Sequence, residues 1–459
     1  MSDRPRGARD ESPRDRAVRL LLSERDGFLS DALDEAQRAT PLSAADAGLA
    51  YELTLGVERH RLTLQRLLAP CLHGAWTRID PRLRAILLVA AYQLAWLDRV
   101  PAYAAVDQAV EQARRFVSRK AAGLVNAVLR TMQRLCGPRE PRPAEVDPRH
   151  WVTVDFDAGL RFGEPVFPDP AENVVQYLAQ STSHPAELVT RWVANHGRAA
   201  AEQACRAGAA RPPLVLRPNR LRIGGQELAA RLRERGIAAR CDAETGAVEL
   251  ARGVRVDELP EFQEGLCQPQ DATAQAVWQL RPPEPGERVL DLCAGAGTKA
   301  THAAEWMQDC GVVAAQTRDA ADAQGRGANA KRLGLTCVRR HEPGAIMLGG
   351  SFDLILLDVP CSNSGTLARR PEARYRFAER RDRLTPLTRV QDELLDQAVA
   401  LAGRQTELLY STCSIEPEEN EARVAAFCEP PRRLAVAGVA ADAAAPATQT
   451  TSGATAALR

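Results

Sequence analysis

The feature that most constrains the fold of this chain is a predicted strand that runs into a glycine-rich turn and then into a helix. It reads Arg288-Val-Leu-Asp-Leu-Cys-Ala-Gly-Ala-Gly-Thr-Lys299. Glycines at such a turn let the backbone approach a ligand closely at the N-terminus of the following helix. Strand and helix patterns alternate from about 264 to 429, which predicts a mostly parallel sheet that binds ligands at the carboxyl ends of its strands.

Two cysteines follow two further predicted strands of this region. The first strand begins at Phe352 and leads to Cys361, and the second begins at Glu407 and leads to Cys413. A buried cysteine is usually a small apolar residue. Neighbouring parallel strands, however, lie only about 4.8 Å apart, so two thiols at adjacent strand ends could reach one substrate atom. The pair therefore favours nucleophilic chemistry beside a ligand pocket.

The composition sets wider limits. The formal net charge of +1 neither requires nor excludes a nucleic-acid partner. Eleven cysteines without a Cys-x-x-Cys spacing, and no apparent export signal, predict reduced thiols in a cytoplasmic protein. No cysteine and histidine spacing predicts a metal, and the longest apolar run, residues 85–97, is too short to span a membrane. Only three of 60 basic residues are lysines, so Lys299 beside the glycine turn suggests a need for a compact ammonium.

The chain divides by pattern into six segments. We predict that residues 1–14 are disordered and that 15–137 form an all-α bundle. Residues 138–172, with seven prolines between 138 and 170, are predicted to be a linker, and 173–263 a helical plus small α+β module. Residues 264–430 carry the parallel sheet, and 431–459, rich in alanine and threonine, are predicted to be a flexible tail.

These motifs together resemble a known family. Asp-Val-Pro-Cys-Ser at 358–362, Ser-Thr-Cys-Ser at 411–414 with Pro-Glu-Glu-Asn at 417–420, and Asp-Leu-Cys-Ala with Lys299 are similar to the motifs of RNA 5-methylcytosine methyltransferases. The helical segment, with residues 52–57 and 123–130, resembles the NusB-type RNA-binding domain. The combination resembles the RsmB (Sun, Fmu) branch. It implies a NusB-like bundle, a small α+β module and a Rossmann-like class I methyltransferase domain.

The resemblance also implies a mechanism. C5 of cytosine is a poor nucleophile until a thiolate adds at C6, which is covalent catalysis. The family implies that Cys413 is this nucleophile and that Cys361 assists release of the adduct, although the opposite assignment is chemically possible. Asp358 is expected to hold the base and Lys299 to orient it. The methyl donor is S-adenosylmethionine, and the implied target is cytosine 967 of 16S ribosomal RNA.

The cofactor residues depart from the family pattern in places. The implied binding residues are 291–299 (Asp291, Leu292, Cys293, Ala294, Gly295, Ala296, Gly297, Thr298, Lys299), Gln316, Thr317, Glu342 and Asp358. The second strand should end in an acid that grips the ribose hydroxyls, but Gln316 or Thr317 stands there, with Asp319 nearby. Glu342 takes the place of an aspartate at the third strand. Weakened cofactor binding is therefore expected.

An arginine-rich stretch follows Cys361 directly. We predict that it holds RNA through phosphate contacts and aromatic stacking, against the alternative of a solvated loop. The candidate residues are Arg369, Arg370, Arg374, Tyr375 and Arg376. The expected partner is small-subunit ribosomal RNA, bound by a monomer with neither metal nor membrane. A transfer-RNA cytosine methyltransferase and a catalytically silent RNA-binding assembly factor are the alternatives.

Overall fold

The computed structural model describes residues 11–23, 27–155, 157–251, 253–317, 327–341, 351–379, 382, 384–429, 436–440 and 455–458, with the backbone alone at 378–379, 436–440 and 455–458. The chain forms two compact units. The first unit contains Met1–Arg211 and Leu367–Arg380, and the second contains Pro212–Thr366 and Arg381–Arg459. This division differs from the predicted boundaries, because the helices between 174 and 209 pack with the N-terminal helices.

The first unit begins with the predicted all-α bundle. Its helices are α1 (Pro13–Leu22), α2 (Leu29–Ala39), α3 (Ala44–Arg59), α4 (Arg61–Leu68), α5 (Pro81–Trp96), α6 (Ala102–Phe116) and α7 (Arg119–Leu135). Ser12 and Ser118 accept hydrogen bonds from first-turn N–H groups, which caps α1 and α7. The apolar helix α5 is buried along most of its length, as its sequence predicts. Since α1 starts at Pro13, the prediction of disorder to residue 14 extends too far.

A small antiparallel sheet occupies part of the predicted linker. Its strands β1 (Cys136–Pro141), β2 (Trp151–Thr153) and β3 (Ala158–Phe162) pair in the order β1-β3-β2. The prolines misled the sequence prediction, because a proline is tolerated on an edge strand and β1 is an edge. The central strand β3 contains none, and Trp151, Leu160 and Phe162 are buried. Helices α8 (Val174–Ser181) and α9 (Ala186–Ala209) follow, and α9 is broken at Gly197, which has φ +80°.

The second unit opens with the predicted small α+β module. It contains β4 (Leu214–Pro218), α10 (Gly225–Glu234), β5 (Ala239–Cys241), β6 (Val248–Leu250), α11 (Pro260–Gln263) and β7 (Cys267–Pro269). The strands form an antiparallel sheet in the order β5-β6-β4-β7. Leu216, Leu228, Leu232 and Val248 are fully buried and form its core.

The large sheet confirms the predicted parallel fold. In chain order its region contains α12 (Ala272–Leu280), β8 (Arg288–Asp291), α13 (Thr298–Trp306), β9 (Val312–Gln316), α14 (Gly327–Leu333), β10 (Val338–His341), β11 (Phe352–Asp358), α15 (Ala373–Glu379), α16 (Leu384–Leu401), β12 (Ala402–Ser411), α17 (Glu421–Cys428), β13 (Val436–Ala440) and β14 (Thr455–Leu458). Helix α15 belongs to the first unit. The strand order is β10-β9-β8-β11-β12-β14-β13.

The first five strands of this order are parallel, and β14 is antiparallel to both of its neighbours. Strands β13 and β14 lie in the segment predicted to be a flexible tail, so that prediction is wrong for Val436–Ala440 and Thr455–Leu458. Their short, alanine-rich sequences carry little apolar alternation. Thr455–Leu458 pairs with the edge of β12, and Val436–Ala440 pairs in turn with Thr455–Leu458.

A candidate two-thiol active site

Four parallel strands bring the predicted site residues to one edge of the large sheet. Asp358 of β11 pairs in register with Ser411 of β12, and Leu356 pairs with Asp291 of β8. The N–H of Val359 donates to the carbonyl of Ser411, which continues the register beyond the strands. Because the strands end together, the segments that carry the two cysteines leave the sheet side by side.

The two sulfurs are in direct contact. Cys361 Sγ lies 2.9 Å from Cys413 Sγ, so the structure brings together the thiols that the sequence pairs. The hydrogen bond that Cys361 donates to Cys413, together with burial, raises the pKa of Cys361 well above its usual value. Cys361 therefore keeps its proton, and Cys413, which is only partly buried, is the more accessible sulfur.

Asn363 also contacts Cys413, a contact that the sequence analysis missed. Its side-chain oxygen accepts a hydrogen bond from the Cys413 thiol over 3.2 Å, and its Nδ2 donates to the Cys361 carbonyl over 3.0 Å. The residue has φ +62°, a left-handed conformation that asparagine tolerates better than most residues. The only sign of this contact in the sequence is that an asparagine lies in the short segment after Cys361.

A buried polar network lies beneath the thiols and was also missed. Glu419 is fully buried and accepts hydrogen bonds from the Ser362 N–H at 2.9 Å and the Ser362 hydroxyl at 2.5 Å. Gln391 Nε2 donates to the same carboxylate over 3.1 Å. The Ser414 hydroxyl lies 3.0 Å from that of Ser362 and 3.1 Å from that of Ser364. The network joins the segment after β11 to the segment after β12.

Lys299 and Asp358 form an ion pair at the same edge. Lys299 Nζ lies 2.5 Å from Asp358 Oδ2, and the two side chains are 17% and 33% exposed. Burial disfavours the charged form of Lys299, but the carboxylates of Asp358 and Asp291 outweigh it and raise its pKa. Burial, with the nearby charge of Asp358, raises the pKa of Asp291 to about 7. A base placed here would meet an ammonium and an accepting carboxylate.

The glycine loop leaves space for a ligand. Gly295 and Gly297 have φ +49° and +75°, and Gly297 precedes the first residue of α13. A Cβ built at Gly295 would meet nothing closer than the Cys293 carbonyl at 3.8 Å. Asp291 Oδ1 and Thr317 Oγ1 are buried without a hydrogen-bond partner in the described part of the chain. These unpaired oxygens at two strand ends fit a polar cofactor such as S-adenosylmethionine.

Other predicted cofactor residues have different surroundings. Leu292 is fully buried in the core and donates its N–H to Leu356 in the sheet, so its side chain does not face the loop. Ala294 donates its N–H to the carbonyl of Gln316, which ties the glycine loop to β9. Gln316 ends that strand and Thr317 follows it, and neither is an acid. Glu342 and Asp319 lie outside the described residues.

The structure contradicts the RNA-contact prediction for Arg374 and Tyr375. The Arg374 guanidinium is fully buried in the first unit, where it donates to the carbonyls of Arg59, Thr182, Ser183, Leu367 and Gly208. Burial lowers its pKa to about 10. The buried Tyr375 hydroxyl donates to the Glu58 carbonyl. Both side chains therefore pack inside the protein, since a buried guanidinium can satisfy several carbonyls at once.

The neighbouring arginines are less buried. Arg370 Nη1 contacts the Ser30 hydroxyl, and its guanidinium lies 4.1 Å from the centre of the Phe28 ring. Arg376 Nη2 donates to the Gly27 carbonyl over 2.7 Å. Arg369, Arg370 and Arg376 are all partly exposed. RNA contact stays a prediction for these three.

The strand order and the paired thiols define the class of protein: an α/β methyltransferase-type domain with a thiol-based site. Three family descriptions match the chain. They are "16S rRNA methyltransferase RsmB/F" over residues 278–453, "NusB family" over 12–134 and "Methyltr_RsmF/B-like, ferredoxin-like domain" over 184–257.

Curated relatives match most of the chain. A probable ribosomal RNA small subunit methyltransferase B of Synechocystis sp. is 32% identical over 89% of this chain and 86% of its own length. The corresponding probable enzyme of Bacillus subtilis is 30% identical over 91% and 88%. Ribosomal RNA small subunit methyltransferase B of Vibrio cholerae is 32% identical over 87% and 85%. The chain belongs to the RsmB/F family of 16S ribosomal RNA methyltransferases, so it is an RNA methyltransferase.

Solved structures share the fold. The crystal structure of the protein PH0851 covers 98% of this chain and 99% of its own, with a TM-score of 0.72 and 22% identity. A methyltransferase homologue from Pyrococcus horikoshii covers 62% and 99%, with a TM-score of 0.50 and 24% identity. Within the described residues, no helix is long and apolar enough to cross a membrane, and no cluster of potential metal ligands is found.

Proposed function

We propose that this protein makes 5-methylcytosine in 16S ribosomal RNA, at cytosine 967, through a covalent bond between Cys413 and C6 of the base. The observation that carries the proposal is the contact of 2.9 Å between the Cys361 and Cys413 sulfurs at adjacent strand ends. A structural cysteine pair would have no need of the Lys299–Asp358 ion pair at the same edge.

The first step is addition of Cys413. Its thiolate bonds to C6, and the electrons of the C5–C6 double bond move onto the base, which makes C5 nucleophilic. A base within a stacked helix is out of reach, so the target must be unpaired or flipped. Cys413 is suited to this step because it is the more exposed sulfur and accepts a hydrogen bond from Cys361.

Asp358 and Lys299 would hold the base. The Asp358 carboxylate accepts a hydrogen bond from the exocyclic amine, and the Lys299 ammonium offsets the negative charge that thiolate addition places on the base. Lys299 fixes the position of Asp358, because its ammonium lies 2.5 Å from the carboxylate. S-adenosylmethionine, when bound against the glycine loop, Asp291 and Thr317, supplies an electrophilic methyl group to C5.

Release needs a second sulfur. The hydrogen bond to Cys413 is the largest cause of the raised pKa of Cys361. When the Cys413 sulfur is bonded to C6, it is a weak hydrogen-bond acceptor. The Cys361 thiol then lacks the hydrogen bond that raised its pKa, so it gives its proton to solvent more easily. The Cys361 thiolate then takes the C5 proton, the C5–H electrons form the C5–C6 double bond, and Cys413 leaves as a thiolate.

One observation favours a second candidate. Gln316 and Thr317 stand where an acid would grip the ribose, so a chain that binds RNA but transfers methyl groups slowly is the alternative. The retained thiols and the names of the curated relatives, which act on the small ribosomal subunit, support the enzyme instead.

The test supplies radiolabelled S-adenosylmethionine and unmodified 16S ribosomal RNA to the full-length protein. We expect label in 5-methylcytosine, identified by nucleoside mass spectrometry and assigned to one position by bisulfite sequencing. Cys413→Ala should transfer no label. The matched control is Cys310→Ala, the same substitution at an exposed cysteine, which should retain activity. RNA binding without label in the wild type would support the silent-factor candidate, and label in transfer RNA alone would support a different substrate.

A further inference from the structure

The amide of Asn363 can have only one orientation. Its nitrogen lies 3.0 Å from the Cys361 carbonyl, which can accept but never donate a hydrogen bond. The amide oxygen must therefore face Cys413 Sγ, 3.2 Å away. An amide oxygen is also only an acceptor, so the contact forms only while Cys413 carries its proton.

The other groups at this sulfur act in the opposite direction. The Cys361 thiol donates toward Cys413, and the Lys299 ammonium attracts a negative charge there; both favour the thiolate. The other charged groups nearby are the Asp358 and Asp291 carboxylates, which interact with Lys299, and the Glu419 carboxylate, which acts on Cys361. Asn363 is a neutral group that accepts the hydrogen bond of the Cys413 thiol.

The backbone fixes this arrangement. Asn363 has φ +62°, and the next N–H groups along the chain are held in place, with Gly365 donating to the Cys413 carbonyl and Thr366 to that of Asn363. The side chain reaches from one cysteine segment to the other through its two hydrogen bonds. A glycine would keep this backbone and remove only the amide.

We propose that Asn363 is a positioning residue for the nucleophile: its amide oxygen orients the Cys413 thiol and sets the pH at which that thiol ionises. The inference rests on the proposed function only in taking Cys413 as the nucleophile. The contact orients the Cys413 thiol in the resting enzyme, and it must break before this sulfur can attack a base.

The test measures ionisation of Cys413 directly. Wild type, Asn363→Gly and Asn363→Asp are treated with iodoacetamide across pH 6 to 10.5, and alkylation of the peptide that contains Cys413 is followed by mass spectrometry. A hydrogen bond contributes about one pKa unit, so the midpoint should fall by about one unit in Asn363→Gly. It should rise in Asn363→Asp, because a carboxylate accepts the proton and repels the thiolate.

The control is Gln308→Gly, which places a glycine at another left-handed position, φ +55°, on an exposed residue. Its midpoint should match the wild type. Equal midpoints for wild type and Asn363→Gly, or a higher midpoint in the glycine variant, would overturn the inference. The proposed function fails by a different result, absence of methylation in the wild type, so the two failures are distinguishable.

Discussion

The carboxylate of Glu419 holds both the N–H and the hydroxyl of Ser362, at 2.9 and 2.5 Å, although the two residues are 57 positions apart. Ser362 directly follows Cys361, and Glu419 lies six residues after Cys413. The distance between the thiols thus depends on a carboxylate that is fully buried and has Gln391 as a further donor. This contact joins the two cysteine-bearing segments within the protein itself.

Glu419→Ala should therefore destabilise the second unit more than Glu419→Gln. The alanine leaves buried donors of Ser362 unpaired, which costs about 1–3 kcal/mol for each group. The glutamine keeps one acceptor oxygen, and its amide can donate to the Ser362 hydroxyl. Urea unfolding followed by fluorescence measures the difference, and equal midpoints for the two variants would contradict the hydrogen-bonding account.

A second prediction concerns the buried pair Arg217–Glu305, which joins β4 to α13. Nη2 and Oε1 are 2.7 Å apart, and the side chains are 2% and 0% exposed. Arg217→Met alone should lower the free energy of unfolding by about 3–5 kcal/mol, because the charge of Glu305 stays buried without its partner. The double variant Arg217→Met with Glu305→Leu should lose much less.

The exposed pair Arg231–Glu227 is the matched control, since both side chains are about half exposed. Arg231→Met should cost less than about 1 kcal/mol. Denaturant unfolding of all four proteins gives the comparison. If the double variant is as unstable as Arg217→Met, the attraction within the ion pair stabilises the protein by more than the desolvation of its two charges costs.

A third prediction follows from Asp291, whose pKa burial raises to about 7 from the usual 3.8. Between these values the native state binds the proton and the unfolded chain does not. Stability should therefore fall as pH rises through this window, by up to about 1.4 kcal/mol per pH unit, and level off above pH 7.

Asp291→Asn removes this titration. Because only the wild type loses stability in this range, the free energy of unfolding of Asp291→Asn should rise relative to that of the wild type from pH 4.5 to pH 7. Above pH 7 the difference should stay constant. The measurement is urea unfolding of both proteins at each pH, without cofactor. A difference that does not change with pH would mean that Asp291 ionises normally in the folded protein.

The sequence predicts the local parts of this molecule well. Arg288–Asp291, the glycine turn and the helix from Thr298 form as expected, because strand, turn and helix signals lie within twelve residues. The adjacency of Cys361 and Cys413 was also predictable, since both follow parallel strands that pair in register.

What the sequence did not predict depends on distant partners. Arg374 looks like an RNA ligand in sequence, yet the carbonyls that bury it come from residues as far away as Arg59. Strand β1 was hidden by prolines that only an edge position permits. The orientation of the Asn363 amide depends on two cysteines 52 positions apart, which no local pattern reports.

The central claim is that Cys413 attacks the base and Cys361 releases it. The most direct measurement incubates Cys361→Ala and Cys413→Ala with 16S ribosomal RNA and S-adenosylmethionine and looks for protein–RNA adducts by denaturing electrophoresis. Cys361→Ala should accumulate an adduct, because attack and methyl transfer proceed but elimination stalls, and Cys413→Ala should form none. An adduct formed by Cys413→Ala and absent from Cys361→Ala would show that the two roles are reversed.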